Sequence, residues 1–354
     1  MVEPAPLAVT VDFYHDVTCP WSFIGKRRLD RVLQAISAAS SSSSDATLDR
    51  STPPPVSVRA DFHPFFINPS HRLEGAPASW DARSERVRRE VVKGRIERLK
   101  EVAREDGVQL KLRTDPSLAP ASSAPGVSGH AEPDPFDRPK TLKAHRLVLF
   151  ARDEARRHAA SKEQRRQAAN AWVTQMARIF GGRRSDGSLK VDGKLRGSTI
   201  LRDPGDAAAS KMLDLLASAY WERGEDIGND RVLVRWGKRV GLDAHRVGSF
   251  LSSNRLADAV LTDEQNGRRL LGITGSPWLK FSLEQGGRTV SFDVAGAQDV
   301  GTMLRMLSRA FEKLGSARLR SNVGSELSVS SGVGSVDEDA EDDGAVLGFV
   351  GARL

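Results

Sequence analysis

Asp16-Val17-Thr18-Cys19-Pro20-Trp21-Ser22-Phe23-Ile24-Gly25-Lys26-Arg27-Arg28-Leu29 is the stretch whose reading decides the fold. Just before it, Leu7-Ala8-Val9-Thr10-Val11-Asp12-Phe13-Tyr14 alternates in polarity and is rich in strand formers, which predicts a buried strand. Just after it, Trp21, Ile24, Leu29, Val32, Leu33 and Ile36 recur at three- and four-residue spacing. Lys26, Arg27, Arg28, Asp30 and Arg31 fill the other face, so an amphipathic helix is predicted. Pro20 suits its first position, where no amide N–H is needed. Cys19 therefore stands between a strand and a helix N-terminus. Unpaired N–H groups and the positive end of the helix dipole favour a thiolate there, and hence a nucleophile. The competing reading of a lone cysteine is a small buried apolar side chain.

Moving outward, Ser37 to Pro55 holds a run of serines (Ser40–Ser44) and three prolines, and reads as a low-complexity loop. Val56-Ser57-Val58-Arg59-Ala60-Asp61-Phe62 alternates again, completing a strand–helix–strand unit of parallel, right-handed sense. Helical patterns then cover Trp80 to Asp106, Thr141 to Arg157, Lys162 to Phe180, Ala207 to Arg223, Asp230 to Gly241, Asp243 to Ser252 and Leu256 to Leu271. The chain returns to strand at Trp278-Leu279-Lys280-Phe281 and at Val290-Ser291-Phe292, with Gly286-Gly287 as a hairpin turn between them. Ala297 to Lys313 is a closing amphipathic helix. The expected organisation is a βαβ half at 7–75, a helical insertion at 76–240 with low-complexity loops near 119–139 and 181–206, a ββα half at 241–314, and a disordered acidic tail at 315–354.

Composition narrows the function classes. The 354 residues carry a net charge of +7 with 39% hydrophobic and 6% aromatic residues. From Val323 onward, seven acidic residues face only Arg353, so the rest of the chain is strongly basic. Its basic runs alternate with Glu and Asp at helical spacing, which reads as solvated helix faces rather than a nucleic-acid footprint. One cysteine excludes an internal disulfide or a Cys-rich zinc site, and the seven histidines show no metal-ligand spacing. No apolar run approaches the ~18 residues of a membrane helix, and the N-terminus lacks a secretory pattern. A cytoplasmic protein with no membrane partner, no metal and no bound cofactor is the expectation.

The stretch from Asp16 to Leu29 closely resembles the active-site segment of the FrnE-like branch of the DsbA-like thioredoxin superfamily. That superfamily also holds 2-hydroxychromene-2-carboxylate isomerases and kappa-class glutathione transferases. Phe62-His63-Pro64-Phe65-Phe66-Ile67-Asn68-Pro69, Ala144-His145-Arg146-Leu147, the stretch from Ala219 to Gly228 and Gly272-Ile273-Thr274-Gly275-Ser276-Pro277 resemble further family segments in family order. The resemblance covers roughly residues 7–313. It implies an α/β thioredoxin fold (βαβ…ββα) with a large inserted α-helical domain. It also implies that Pro277 is a cis-proline lying against Cys19, with the Ser276 backbone offered to an extended peptide or to glutathione.

One residue departs from the pattern. Ser22 stands where a dithiol oxidoreductase has its second cysteine, so a self-contained Cys-x-x-Cys cycle is excluded. Ser22 either hydrogen-bonds a Cys19 thiolate or is a passive replacement. His15, as an imidazolium, would help hold a thiolate; otherwise it is packed or solvated. Trp21 and Trp278 would wall the site or belong to the core. The expected function is thiol–disulfide oxidoreduction through Cys19 in the Cys19-Pro20-Trp21-Ser22 turn. Its partner would be a protein disulfide or glutathione, with an external thiol such as glutathione as the resolving cosubstrate. The alternatives are a glutathione-dependent isomerase or transferase, and a non-catalytic thioredoxin-fold binding module.

Overall fold

The structure, a computed structural model, describes residues 6–41, 56–67, 97–111, 140–180 and 203–314. The expected tail at 315–354, the loop at 119–139, the stretch 181–202 and the region from Trp80 to Ile96 lie outside the described residues.

A four-stranded sheet forms the centre, in the order β2-β1-β3-β4. β1 (Leu7–His15) runs parallel to β2 (Val56–Pro64), with Val9 opposite Val58 and Phe13 opposite Phe62. β3 (Trp278–Gln285) is antiparallel to β1, and β4 (Arg288–Ala295) is antiparallel to β3. A strand buried on one face needs an apolar residue at every second position. β1 meets this with Leu7, Val9, Val11 and Phe13, all fully buried. The β3–β4 hairpin turns at Gly286 and Gly287, whose φ values of 57° and 76° are the left-handed pair a two-residue hairpin requires. Phe281 and Phe292 stack across this pair at 5.0 Å.

Helix α1 (Pro20–Ser41) buries Leu29, Val32, Leu33 and Ile36 in the same cluster as the odd-numbered β1 residues. The loop expected from Ser37 therefore begins later, because Ser37 to Ser41 remain in α1. The described part of a further helix covers residues 97–105, and Ala103 and Val108 pack with Phe23 and Ile24 of α1.

The two helices expected on either side of His158 are one, α2 (Leu142–Phe180). Ala159, Ala160 and Ser161 contain no breaker, so the helix runs through them. α3 (Pro204–Arg223) starts three residues before the expected Ala207, and the loop expected to 206 ends correspondingly early. Asp203 accepts hydrogen bonds from the amides of Gly205 and Asp206, and Pro204 takes the first turn, so this cap sets the start. Asn229 and Asp243 cap α4 (Asp230–Arg239) and α5 (Ala244–Leu251) in the same way. α6 (Ala257–Leu270) lies on the sheet face to which Tyr14 points, where a Cβ on Gly267 would meet the Tyr14 ring at 2.9 Å.

α7 (Val300–Leu314) closes the fold. Its start falls three residues after Ala297 because Asp299 accepts from both the amide and the hydroxyl of Thr302. One apolar cluster joins β1, β2, β3, α1, α7 and the helical block from Ala144 to Leu251, so sheet and helices share a core. That shared core packs beneath β1 and β3, whose ends carry the chemistry-bearing residues.

Candidate active site

The chain leaves β1 at His15, and the next four residues form a tight turn. Asp16 is buried, with one carboxylate oxygen accepting from both the amide (2.8 Å) and the hydroxyl (2.7 Å) of Thr18. The other oxygen accepts from the amide of Ile67 at 2.9 Å, just beyond β2. The amide of Cys19 donates to Asp16 O at 3.0 Å, and the amides of Ser22 and Phe23 donate back to Cys19 O. Cys19 thus opens the first turn of α1.

Facing this turn is the segment that enters β3. The Ser276–Pro277 peptide is cis. Cys19 Sγ donates to Ser276 O at 3.3 Å, so the thiol lies directly against that backbone. Ser22 Oγ and Ser276 Oγ share a 2.6 Å hydrogen bond. The amide of Asp16 donates to Ser276 Oγ at 2.9 Å and, more weakly, to Ser22 Oγ at 3.4 Å. Cys19, Ser22, Ser276 and Pro277 are therefore brought together, although more than 250 residues of sequence separate the two pairs. Cys19 and Ser22 are only 3% and 4% exposed.

Gly25 explains how the proline loop comes so close. A Cβ at that position would stand 2.9 Å from Pro277 Cγ, inside any normal contact. The absence of a side chain lets α1 and the proline ring meet face to face. Trp21 is half-buried on a second apolar cluster with Phe23 and Ile24. Trp278 packs edge-on to Tyr14 at 5.6 Å. The two tryptophans are therefore packed in separate apolar clusters.

Burial opposes a positive charge on His15. It is 1% exposed, and burial drives its pKa well below the usual value, helped by His145, His63 and Lys26. Its ring stacks on Phe13 and lies 5.1 Å from His145, and its Nδ1 has no hydrogen-bond partner among the described residues. Of the two readings of His15, the packed ring is the one this burial favours over an imidazolium. His145 is likewise buried, its pKa pushed down to about 4 because burial outweighs the attraction of Asp16 and Glu264.

Three residues near the turn carry more than the sequence disclosed. Asp16 could have been found, since an Asp two residues before a Thr is a local side-chain turn. Lys26 is 1% exposed and its ammonium bonds Asp30 at 2.7 Å and Asp214 at 3.3 Å. Its spacing to Asp30 was a visible i,i+4 pair, whereas Asp214 lies on α3 and gave no signal. His145 meets His15 only through tertiary packing. A void of about 10 Å³ behind Ser22 is lined by Asp16, Lys26 and Asp214. A larger cleft of about 480 Å³ opens between α1 and α3 along Arg27, Asp30, Lys211 and Asp214. Cys19 and Ser276 do not line it, so it is not the approach to the thiol. Among the described residues, no group of three or more His, Cys, Asp or Glu is placed to hold a metal, and no helix is long and apolar enough to cross a membrane.

A cysteine at a helix start, set against a cis-proline loop on a β2-β1-β3-β4 sheet, defines a thioredoxin-type protein with helices inserted in the fold. Residues 10–180 and 195–308 match the DSBA-like thioredoxin domain, and the chain belongs to that family. No curated protein matches the sequence. Among solved structures, a probable DsbA oxidoreductase from Streptomyces coelicolor is similar at 18% identity and a TM-score of 0.43, over 86% of this chain and 90% of that one. A 2-hydroxychromene-2-carboxylate isomerase is similar at 14% identity and a TM-score of 0.41, over 86% and 95%. The cytosolic disulfide reductase DsbM from Pseudomonas aeruginosa is similar at 14% identity and a TM-score of 0.38, over 90% and 99%.

Proposed function

We propose that the protein catalyses thiol–disulfide exchange through Cys19 alone, with an external thiol completing each turnover. The observation that carries this reading is the placement of Cys19 Sγ 3.3 Å from Ser276 O, at the N-terminus of α1 and beside Pro277. A helix N-terminus favours a thiolate there. The Ser276 backbone offers an incoming chain a partner of the strand-edge kind. The Cys19 thiolate attacks one sulfur of a disulfide, a bond to that sulfur forms, and the other sulfur leaves as a thiolate. The mixed disulfide on Cys19 is then attacked by a second thiolate, which takes the bound sulfur into a new disulfide and returns Cys19 to its starting state. With Ser22 at the second motif position, that second thiolate comes from outside, and glutathione in a reducing, cytoplasmic setting suits the role. A protein–glutathione mixed disulfide plus glutathione would then give a protein thiol and glutathione disulfide, with Cys19 regenerated.

The test is trapping. Incubated with glutathione disulfide, the protein should gain one glutathionyl group at Cys19 by mass spectrometry and lose it on addition of glutathione. A Cys19→Ser variant should do neither and should have no exchange activity. Wild-type protein that stays unmodified would refute the reading. The hydroxyl pair Ser22–Ser276 favours a second reading, since these groups would also orient the thiol of bound glutathione in an isomerase or transferase. Activity on an electrophile with glutathione that survives Cys19→Ser would select it.

A further inference from the structure

The Asp16 amide biases the direction of the Ser22–Ser276 hydroxyl pair, since it reaches Ser276 Oγ at 2.9 Å and Ser22 Oγ only at 3.4 Å. A backbone N–H only donates, so Ser276 Oγ must accept from the Asp16 amide at 2.9 Å. The two serine hydroxyls share one proton across their 2.6 Å bond. The other hydroxyl proton is left for a third partner. Head-to-tail chains of hydrogen bonds polarise one another, so the favoured order runs away from the amide: Asp16 N–H to Ser276, Ser276 O–H to Ser22, and the Ser22 proton outward. Ser22 lies one helical turn after Cys19, on the same face of α1. Both side chains touch Ser276, Cys19 through its carbonyl and Ser22 through its hydroxyl.

That carbonyl poses a problem for the reaction. It accepts a hydrogen bond from the protonated thiol but repels a thiolate, so by itself it opposes activation. A donor aimed at the sulfur offsets this. We propose that Ser276 is a positioning residue, whose hydroxyl turns the Ser22 proton towards the reacting sulfur and makes Ser22 the donor that holds the thiolate. On this view Ser22 is an active replacement for a second cysteine. The inference rests on Cys19 being the reacting sulfur, as proposed above.

The test reads the thiolate directly. Cys19 is the chain's single cysteine, so its ultraviolet thiolate absorbance can be followed against pH, with Cys19→Ser as the blank. Ser276→Thr and Ser276→Val have the same shape and differ in the hydroxyl alone. The Val variant should hold about tenfold less thiolate at a given pH, a rise of about one pH unit in the midpoint, as expected for loss of one hydrogen bond to a charged acceptor. The Thr variant should keep the wild-type midpoint. Ser22→Ala should raise the midpoint as Ser276→Val does, and combining the two should add nothing, because both break one chain. Equal midpoints for the Thr and Val variants, or additive shifts in the double variant, would overturn the proposal. Its failure is distinct from failure of the exchange reading. Wild-type protein inert to glutathione disulfide removes the exchange reading, whatever the midpoints. Active exchange with a Val variant unshifted removes only the positioning role.

Discussion

Lowering the pH should destabilise this protein through His145, and replacing that one ring should remove much of the effect. In the folded chain burial holds His145 neutral, with a pKa of about 4 against 6.5 in the unfolded chain. The unfolded state therefore binds a proton first as the pH falls. Stability associated with the neutral ring is present above 6.5 and is lost as the pH drops through the folded value. For one such group the loss is about 2 kcal/mol at pH 5 and about 3 kcal/mol at pH 4. His15 shifts in the same direction and steepens the limb. Urea unfolding at several pH values between 4 and 7 measures it, and a loss of 2 kcal/mol moves the midpoint by roughly 1 M at a slope of ~2 kcal/mol/M. His145→Phe keeps an aromatic ring against Phe66, which lies edge-on at 5.0 Å, and removes the titrating group together with the unpartnered Nε2. Its acid limb should be shallower by about 2 kcal/mol at pH 5. An unchanged acid limb in the Phe variant would refute the assignment of the effect to this ring.

Further outcomes follow from single contacts. His63 sits between Asp12 and Asp263, which outweigh its burial and raise its pKa to about 9, so its contribution is full below pH 6.5 and lost as the pH rises through 9. His63→Gln should flatten the alkaline limb of the same urea series by about 3 kcal/mol between pH 6.5 and 9. Gly25→Ala would place a methyl 2.9 Å from the Pro277 ring, costing roughly 1–3 kcal/mol in thermal unfolding and slowing reaction at Cys19, measured as the rate of glutathionylation. Asp16→Asn would set an amide N–H₂ against either the Ile67 amide or the Thr18 pair, so a loss of about 1–3 kcal/mol is expected in denaturant unfolding at neutral pH.

The sheet was legible because its signals are local. Leu7 to Tyr14 alternates with period two, and the Gly286-Gly287 turn announces its hairpin. Where the reading of boundaries slipped, a short-range cap decided the outcome: Asp203 and Pro204 lie at the end of a Gly- and Asp-rich run that looked like loop, yet together they start α3. The break expected near His158 had no chemical cause, since no Gly or Pro interrupts the chain there, and α2 continues.

The site divides along the same line. Cys19 and Pro20 announce a thiol at a helix start through neighbours in sequence, and Gly25 stands in the same stretch. The groups packed around the site are long-range. Asp214 reaches Lys26 from α3, His145 reaches His15 from α2, and Ser276 reaches Ser22 across more than 250 residues. No spacing rule encodes such pairs, because they exist only once the sheet is formed and helices cover it. The Ser22 position shows what this costs. From sequence, the serine reads either as a hydrogen-bond donor to the Cys19 thiolate or as a passive replacement for a cysteine. In the fold its hydroxyl is 2.6 Å from a second hydroxyl that is itself held by a backbone amide, so the substitution leaves a connected polar group at the centre of the turn. A buried hydroxyl without partners would cost stability. This one has two, the Asp16 amide and the Ser276 hydroxyl, so the serine is held in place one helical turn from Cys19.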